Sequence, residues 1–292
     1  MNFKNKNKMK YAIIGTGAIG GYYGGLLAKA GQEVHFLLHS DYEQVKAHGL
    51  RIDSCDGNYR LSSVRAYRDT ADMPTCDVVI VALKTTANHL LPQLLRPVVD
   101  SHTLVVLVQN GIGMEADLLE AMPYICTLKP EPGHITHLSN GLLQVGNFSC
   151  REPERLQRMM DDFLAAGIKA KLMEYQEMRW KKAVWNMPFN GMTVAADAPS
   201  AGSLIAYAPM AQTIHEMMRE VIRAAQACGA QGVDEDYAER MMEMTRRMPS
   251  FASSMKFDHD HGQPMELYYL YQRPMEEARK RGCHMPLISM LA

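Results

Sequence analysis

The chain has 292 residues, 47% of them hydrophobic and 22% charged, with a formal net charge of −1 at pH 7. That length and mixture fit two domains of ordinary soluble composition. The near-zero charge gives no electrostatic case for a nucleic-acid or anionic-membrane partner, and no run approaches the roughly 18 apolar residues of a membrane span.

The basic start "MNFKNKNKMK" leads only into "YAIIG", which is too short for a signal-peptide core and reads as a strand over 10–15. "IGGYYGGLLAKAG" (19–31) predicts a helix ended by Gly31, and "EVHFLL" (33–38) the next strand. "LRIDSCDGNYRLSSVRAY" (50–67) predicts a hairpin turning at Asp56-Gly57. "CDVVIVALK" (76–84) and "TLVVLVQNG" (103–111) are continuous apolar runs. Runs without alternation are strands buried on both faces, hence members of a parallel sheet. "EPERLQRMMDDFLAAG" (152–167) is an amphipathic helix and "AKLMEY" a short strand. Beyond residue 176 the periodicity is helical, over 176–195, 208–229, 234–248 and 264–282. The fold class is therefore α/β: an N-terminal Rossmann-type doubly wound sheet (1–175) followed by an all-helical C-terminal domain (176–292).

The six cysteines are scattered, with no C-x-x-C and no Cys/His spacing that suggests zinc, so no metal is expected. "HDH" at 259–261 reads as a solvated loop. Free thiols suit a reducing compartment, and a cytoplasmic location is expected. The 23 methionines favour flexible helical packing, either internal or across a homodimer.

Three features carry chemistry. Gly15-x-Gly17-x-x-Gly20 follows a strand and opens a helix at Ala18 and Ile19, the context of a dinucleotide-binding turn. Its helix N-terminus offers free N–H groups and a positive dipole end to a pyrophosphate. The second strand ends "LLHSD", with His39 where the ribose is read and Asp41 too late to read it. An acid there would favour NAD; its absence at 38–40 favours NADP, with NAD the lesser choice. Second, Lys84 and Asn110 finish strands, at the C-terminal ends where ligands of open α/β sheets sit. Third, Lys182, Asn186 and Asn190 recur every four residues inside an apolar helical segment. Each lies roughly 40° round from the last, so an ammonium and two carboxamides share one face. Buried, that stripe needs partners; otherwise it is solvated.

These residues resemble the ketopantoate reductase (2-dehydropantoate 2-reductase) family from about residue 10 to 288, through "IIGTGAIGG", "VIVALKT", "VQNGIG", "EPGHITH", "WKKAVWN" and "SSMKFDHDHGQPMEL". The resemblance implies an NADPH-dependent reductase of a small 2-oxoacid, ketopantoate, giving (R)-pantoate for pantothenate and coenzyme A synthesis. It implies a catalytic Lys182, with Glu266 orienting substrate or keeping the lysine protonated. Asn186 and Asn190 would meet the substrate's hydroxyl end, Ser254 its carboxylate, and Asp258 and Asn110 would complete the site. Lys84 would stand beside the cofactor. A reductase of another 2-oxoacid and a non-catalytic NADP-binding sensor are the alternatives.

Three departures accompany the resemblance. The family usually carries Arg where His39 stands. Pro188 precedes Asn190 and should kink the helix. Between 121–124 and 131–137 the chain is short, so a sheet strand is expected to be missing or truncated.

Overall fold

The computed structural model describes residues 8–113, 119–248, 250 and 252–292, with only the backbone for 119–126, 128, 139 and 140. The chain divides into two compact units, one holding the described residues of 1–109 and 117–173, the other those of 110–116 and 174–292. No described helix is long and apolar enough to cross a membrane.

The first unit runs β1 (Lys10–Ile14), α1 (Ala18–Lys29), β2 (Glu33–Leu37), α2 (Tyr42–His48), β3 (Leu50–Ser54), β4 (Tyr59–Leu61), β5 (Arg65–Tyr67), β6 (Val78–Val81), α3 (Leu91–Leu95), β7 (Leu104–Leu107), β8 (Leu119–Glu131), β9 (His134–Gly146), α4 (Pro153–Ala165) and β10 (Lys169–Met173). The strands form one sheet in the order β4-β3-β9-β8-β7-β6-β1-β2-β5, with β10 also on β9. β1 pairs in parallel with β2 and with β6, so Tyr11 faces Val34 on one side and Val78 on the other. Central placement follows from composition. Every residue of β6 and β7, and every residue of β1 after Lys10, is buried. An edge position would forgo part of the roughly 1.5–3 kcal/mol that each large apolar side chain gains from burial. α1 lies close on the sheet because it is glycine-rich; a Cβ at Gly24 would stand 2.7 Å from both Ile13 and Phe36.

Two expectations are corrected here. The hairpin is only β3–β4, turning at Gly57 with φ +115°. Residues 65–67 instead form the opposite edge strand, parallel to β2. Nor is a strand lacking after β7: Leu119–Glu131 runs for 13 residues, parallel to β7 and antiparallel to β9. The short connection is accommodated by sending the chain straight back into the sheet as β8 and β9, with only Pro132 and Gly133 between them.

The second unit contains α5 (Tyr175–Ala195), α6 (Ala201–Ile205), α7 (Ala208–Ala227), α8 (Glu235–Arg246), α9 (Ser254–Asp260), a π-helical turn (Tyr268–Gln272), α10 (Arg273–Arg279) and α11 (Pro286–Ser289). No strand occurs among its described residues. Trp180, Val184, Met187 and Phe189 of α5 share a core with Ile214, Met217, Met218, Val221 and Ile222 of α7. Sequence periodicity misses α6, α9 and α11, all under eight residues and too short for a periodic signal. Pro188 does not end α5. The Tyr271 hydroxyl donates to the Met187 carbonyl at 2.8 Å and accepts from the Gly191 backbone N–H, bridging the turn that contains the proline.

Candidate active site

In the first unit the glycine turn is built by close contacts. Gly15 has φ +99°, a conformation side chains avoid, and a Cβ there would lie 2.7 Å from the Leu83 amide nitrogen. At Gly20 a Cβ would meet the Gly15 carbonyl at 2.2 Å. Gly17 differs: beyond its own chain neighbours, nothing lies within 4 Å of where its Cβ would be. Gly17 is also the N-cap of α1, with no side-chain cap and no acid in the first turn. Ala18 and Ile19 therefore present helix-start N–H groups with no intrahelical partner, in front of open space. That arrangement fits a pyrophosphate.

At the end of β2, His39 and Ser40 are exposed. The nearby acid, Asp41, is buried and accepts from Lys129 Nζ at 2.9 Å and from the Gly133 N–H at 3.1 Å. Burial would raise its pKa, but hydrogen bonds from Lys129, Gly133 and Ser40 outweigh it and hold the carboxyl below its ordinary value. Its carboxylate is thus already spoken for within the protein. Lys84 is exposed at the head of the 3₁₀ turn Thr85–Leu90.

In the second unit Lys182 is half-buried on α5. Burial, then the nearby Arg179 guanidinium, lower its pKa from 10.5 to about 7, with Glu266 acting in the opposite direction. Arg179 is itself buried, 1% exposed, and donates to the Gly111 carbonyl at 3.3 Å. Glu266 accepts from Asn110 Nδ2 at 3.2 Å. Asn110, Lys182 and Glu266, far apart in sequence, are thus brought into one electrostatic neighbourhood with Arg179. Asn186 and Asn190 are buried one and two turns further along α5, at 8% and 3% exposure. Among the described residues no side-chain hydrogen bond is made by either carboxamide. α9 packs on α5, with Ser254 as its exposed first residue and Asp258 buried.

The sequence reading missed the residues that hold these in place. Ser253, not Ser254, is the N-cap of α9; its hydroxyl accepts from the Lys256 N–H at 3.1 Å and bonds Thr193 of α5 at 2.8 Å. A serine pair before a helix shows that a cap exists but not which serine makes it. Arg179 was legible only as the residue one turn before Lys182. The "HDH" segment proves to be the end of α9, with Asp260 paired to Lys256 and His261 Nδ1 bonded to the Phe257 carbonyl.

A family model described as ketopantoate reductase PanE/ApbA matches residues 11–149, and the model of its C-terminal part matches 174–292. The chain belongs to the ketopantoate reductase family. It is similar to the 2-dehydropantoate 2-reductase of Nostoc sp., at 40% identity over 98% of this chain and 93% of that one. The crystal structure of 2-dehydropantoate 2-reductase from Geobacter metallireducens superposes with a TM-score of 0.93 at 33% identity, covering 97% of each chain. D-mandelate dehydrogenase in ternary complex with NADH and anilino(oxo)acetate shares the fold at TM-score 0.83 and 18% identity, over 97% of this chain and 96% of that one. As a ketopantoate reductase family member the chain is an oxidoreductase of the nicotinamide-dinucleotide-dependent kind.

Proposed function

We propose that this chain reduces 2-dehydropantoate to (R)-pantoate with NADPH, a step that feeds pantothenate and coenzyme A synthesis. The observation that carries the reading is Lys182, an amine whose pKa of about 7 lets it give and regain a proton at neutral pH. NADPH, when bound, supplies the hydride for C2 of the 2-oxoacid. Negative charge then grows on the former ketone oxygen. The Lys182 ammonium stabilises that charge and gives up its proton, leaving a neutral amine and the product hydroxyl. A proton donor works best with a pKa near the working pH, and burial moves this lysine there. Glu266 favours the ammonium form of Lys182 and offsets part of the push from burial and Arg179. Asn110 fixes the Glu266 carboxylate by its hydrogen bond.

The remaining polar groups are assigned to grip. Asn186 and Asn190 offer buried carboxamides that a ligand hydroxyl can satisfy. Ser254, exposed at the start of α9, is assigned to the substrate carboxylate, and Asp258 to the same side. Gly15, Gly17, Ala18, Ile19 and Gly20 are assigned to the pyrophosphate, with Lys84 beside the cofactor. The NADP preference is supported by Asp41: its carboxylate is engaged by Lys129 and so offers nothing to a ribose 2′-hydroxyl, while exposed His39 leaves room for a phosphate. The test is NADPH and NADH oxidation with a panel of 2-oxoacids that includes ketopantoate. Highest kcat/KM for ketopantoate with NADPH is expected. A higher value for another 2-oxoacid would transfer the assignment to that substrate, and cofactor binding without turnover would leave a sensor.

A further inference from the structure

Ser54, Cys55 and Asp56 form the turn that leaves β3, and His137 lies beside them on β9, 82 residues from Cys55 in sequence. The pairing of β3 with β9 sets Ser54 directly opposite His137, and the Cys55 N–H bonds the His137 carbonyl at 3.0 Å. His137 Nδ1 stands 3.6 Å from Cys55 Sγ and 3.9 Å from Asp56 Oδ2. The three donor atoms all lie within 4.8 Å of one another, and no other group of His, Cys, Asp and Glu among the described residues does this.

We propose that Cys55, Asp56 and His137 form a binding site for a thiophilic divalent cation of the zinc class. The donor set of thiolate, imidazole and carboxylate is one that zinc takes. A tetrahedral zinc, with bonds of about 2.3 Å to sulfur and 2.0 Å to nitrogen, separates those two ligand atoms by about 3.5 Å. The 3.6 Å between Cys55 and His137 matches that edge. The Asp56 carboxylate needs only a small rotation, which its 55% exposed side chain permits.

The scaffold around the cluster is already ordered. The Ser54 N–H donates to Asn58 Oδ1 at 2.9 Å, the Asp56 N–H to Ser54 Oγ at 3.0 Å, and the Gly57 N–H to the Ser54 carbonyl at 2.9 Å. The His137 ring is completely buried and lies against Tyr22, centroids 4.4 Å apart. Its Nε2 is sealed from solvent with no hydrogen-bond partner, so the polar reach of the ring is directed wholly at the cluster through Nδ1. Ser54 Oγ holds Nδ1 at 2.8 Å and must yield that lone pair to the cation. Lys169 Nζ, 4.0 Å from Asp56, opposes binding through the carboxylate. Three protein ligands leave a fourth position for water or another small ligand, as in non-structural zinc sites.

Cobalt is the probe of choice, because a thiolate bound to it gives a charge-transfer band in the near ultraviolet. The full chain, stripped with a chelator, is titrated with Co²⁺ and then with Zn²⁺. One equivalent should produce the band together with tetrahedral visible absorption, and Zn²⁺ should abolish both. Cys55→Ser should remove the band, and Asp56→Asn should weaken binding at least tenfold; both replace exposed residues and should leave the fold intact by circular dichroism. Cys150→Ser, at another solvent-accessible thiol, should change nothing. Absence of the band in the unsubstituted chain, or a band that survives Cys55→Ser, would overturn the site.

Discussion

Raising the pH should switch the reductase off through one residue. Lys182 moves from 10.5 to about 7 because burial, then Arg179, disfavour its charge while Glu266 favours it. Reduction consumes the ammonium form, so kcat/KM for the 2-oxoacid falls as pH rises through the region of 7, by about tenfold for each further unit. Oxidation of the 2-hydroxyacid needs the free amine and should rise over the same range. Glu266→Gln removes the charge that supports the ammonium, so the falling limb should move to lower pH. Lys182→Ala should cost about 10²–10⁴ in kcat while NADPH still binds. The neighbouring lysine is the control: Lys181 is paired to Glu177 at 3.1 Å, and Lys181→Ala should leave both limbs in place. Initial rates of NADPH oxidation, and of NADP reduction in reverse, supply the profiles. A forward rate flat to about pH 9 would refute a pKa near neutrality. Equal damage from both lysine substitutions would refute the assigned helix face.

Gly17→Val should abolish NADPH binding without lowering the melting temperature, because the added Cβ meets nothing within 4 Å beyond its own chain neighbours; Gly20→Ala should instead destabilise the unit, since its Cβ would meet a carbonyl at 2.2 Å. Fluorescence titration and thermal melts separate the two outcomes. Ser254→Ala should raise the Michaelis constant for the 2-oxoacid about ten- to hundredfold, the equivalent of about 1.5–3 kcal/mol for a hydrogen bond to a charged group, with turnover little changed. Lys129→Met should destabilise the first unit at pH 7 by leaving Asp41 short of its cation. The Asp41 carboxyl is held below its ordinary value, so that stabilisation is present above the unfolded pKa of about 4 and is lost as pH falls through the folded one. The variant's deficit in denaturant midpoint should therefore shrink in acid, and a deficit independent of pH would point away from Asp41.

Uninterrupted apolar runs announced β6 and β7 as central strands because a strand buried on both faces has no polar side to display. The long helices α4, α5, α7 and α8 were legible for the same kind of reason, a repeating pattern over several turns. β8 was not, since nothing in "LLEAMPYICTLKPE" alternates cleanly, and its place is fixed by pairing with β9. In the candidate site, the spacing of Lys182, Asn186 and Asn190 displayed one helix face. The proton affinity of Lys182 was not legible, because it is set by burial and by Arg179, and burial is a property of the packed chain. Asp41 was dismissed from its position alone; the stronger reason, its bond to Lys129, joins residues 88 apart.

Asn110 and the two residues after it belong to the helical unit although only Val108 and Gln109 separate them from the sheet strand β7. There Ile112 enters the helical core and its N–H bonds the Tyr269 carbonyl at 3.0 Å, while the Gly111 carbonyl accepts from Arg179 and Asn110 Nδ2 donates to Glu266. The helical half is consequently not a portable module. A fragment cut at the apparent boundary near 174 would start life with a gap in its core, a buried guanidinium stripped of an acceptor, and a carboxylate stripped of a donor. Gene fusions or swaps between relatives that treat the two halves as interchangeable cassettes would have to carry this short peptide along with the second half.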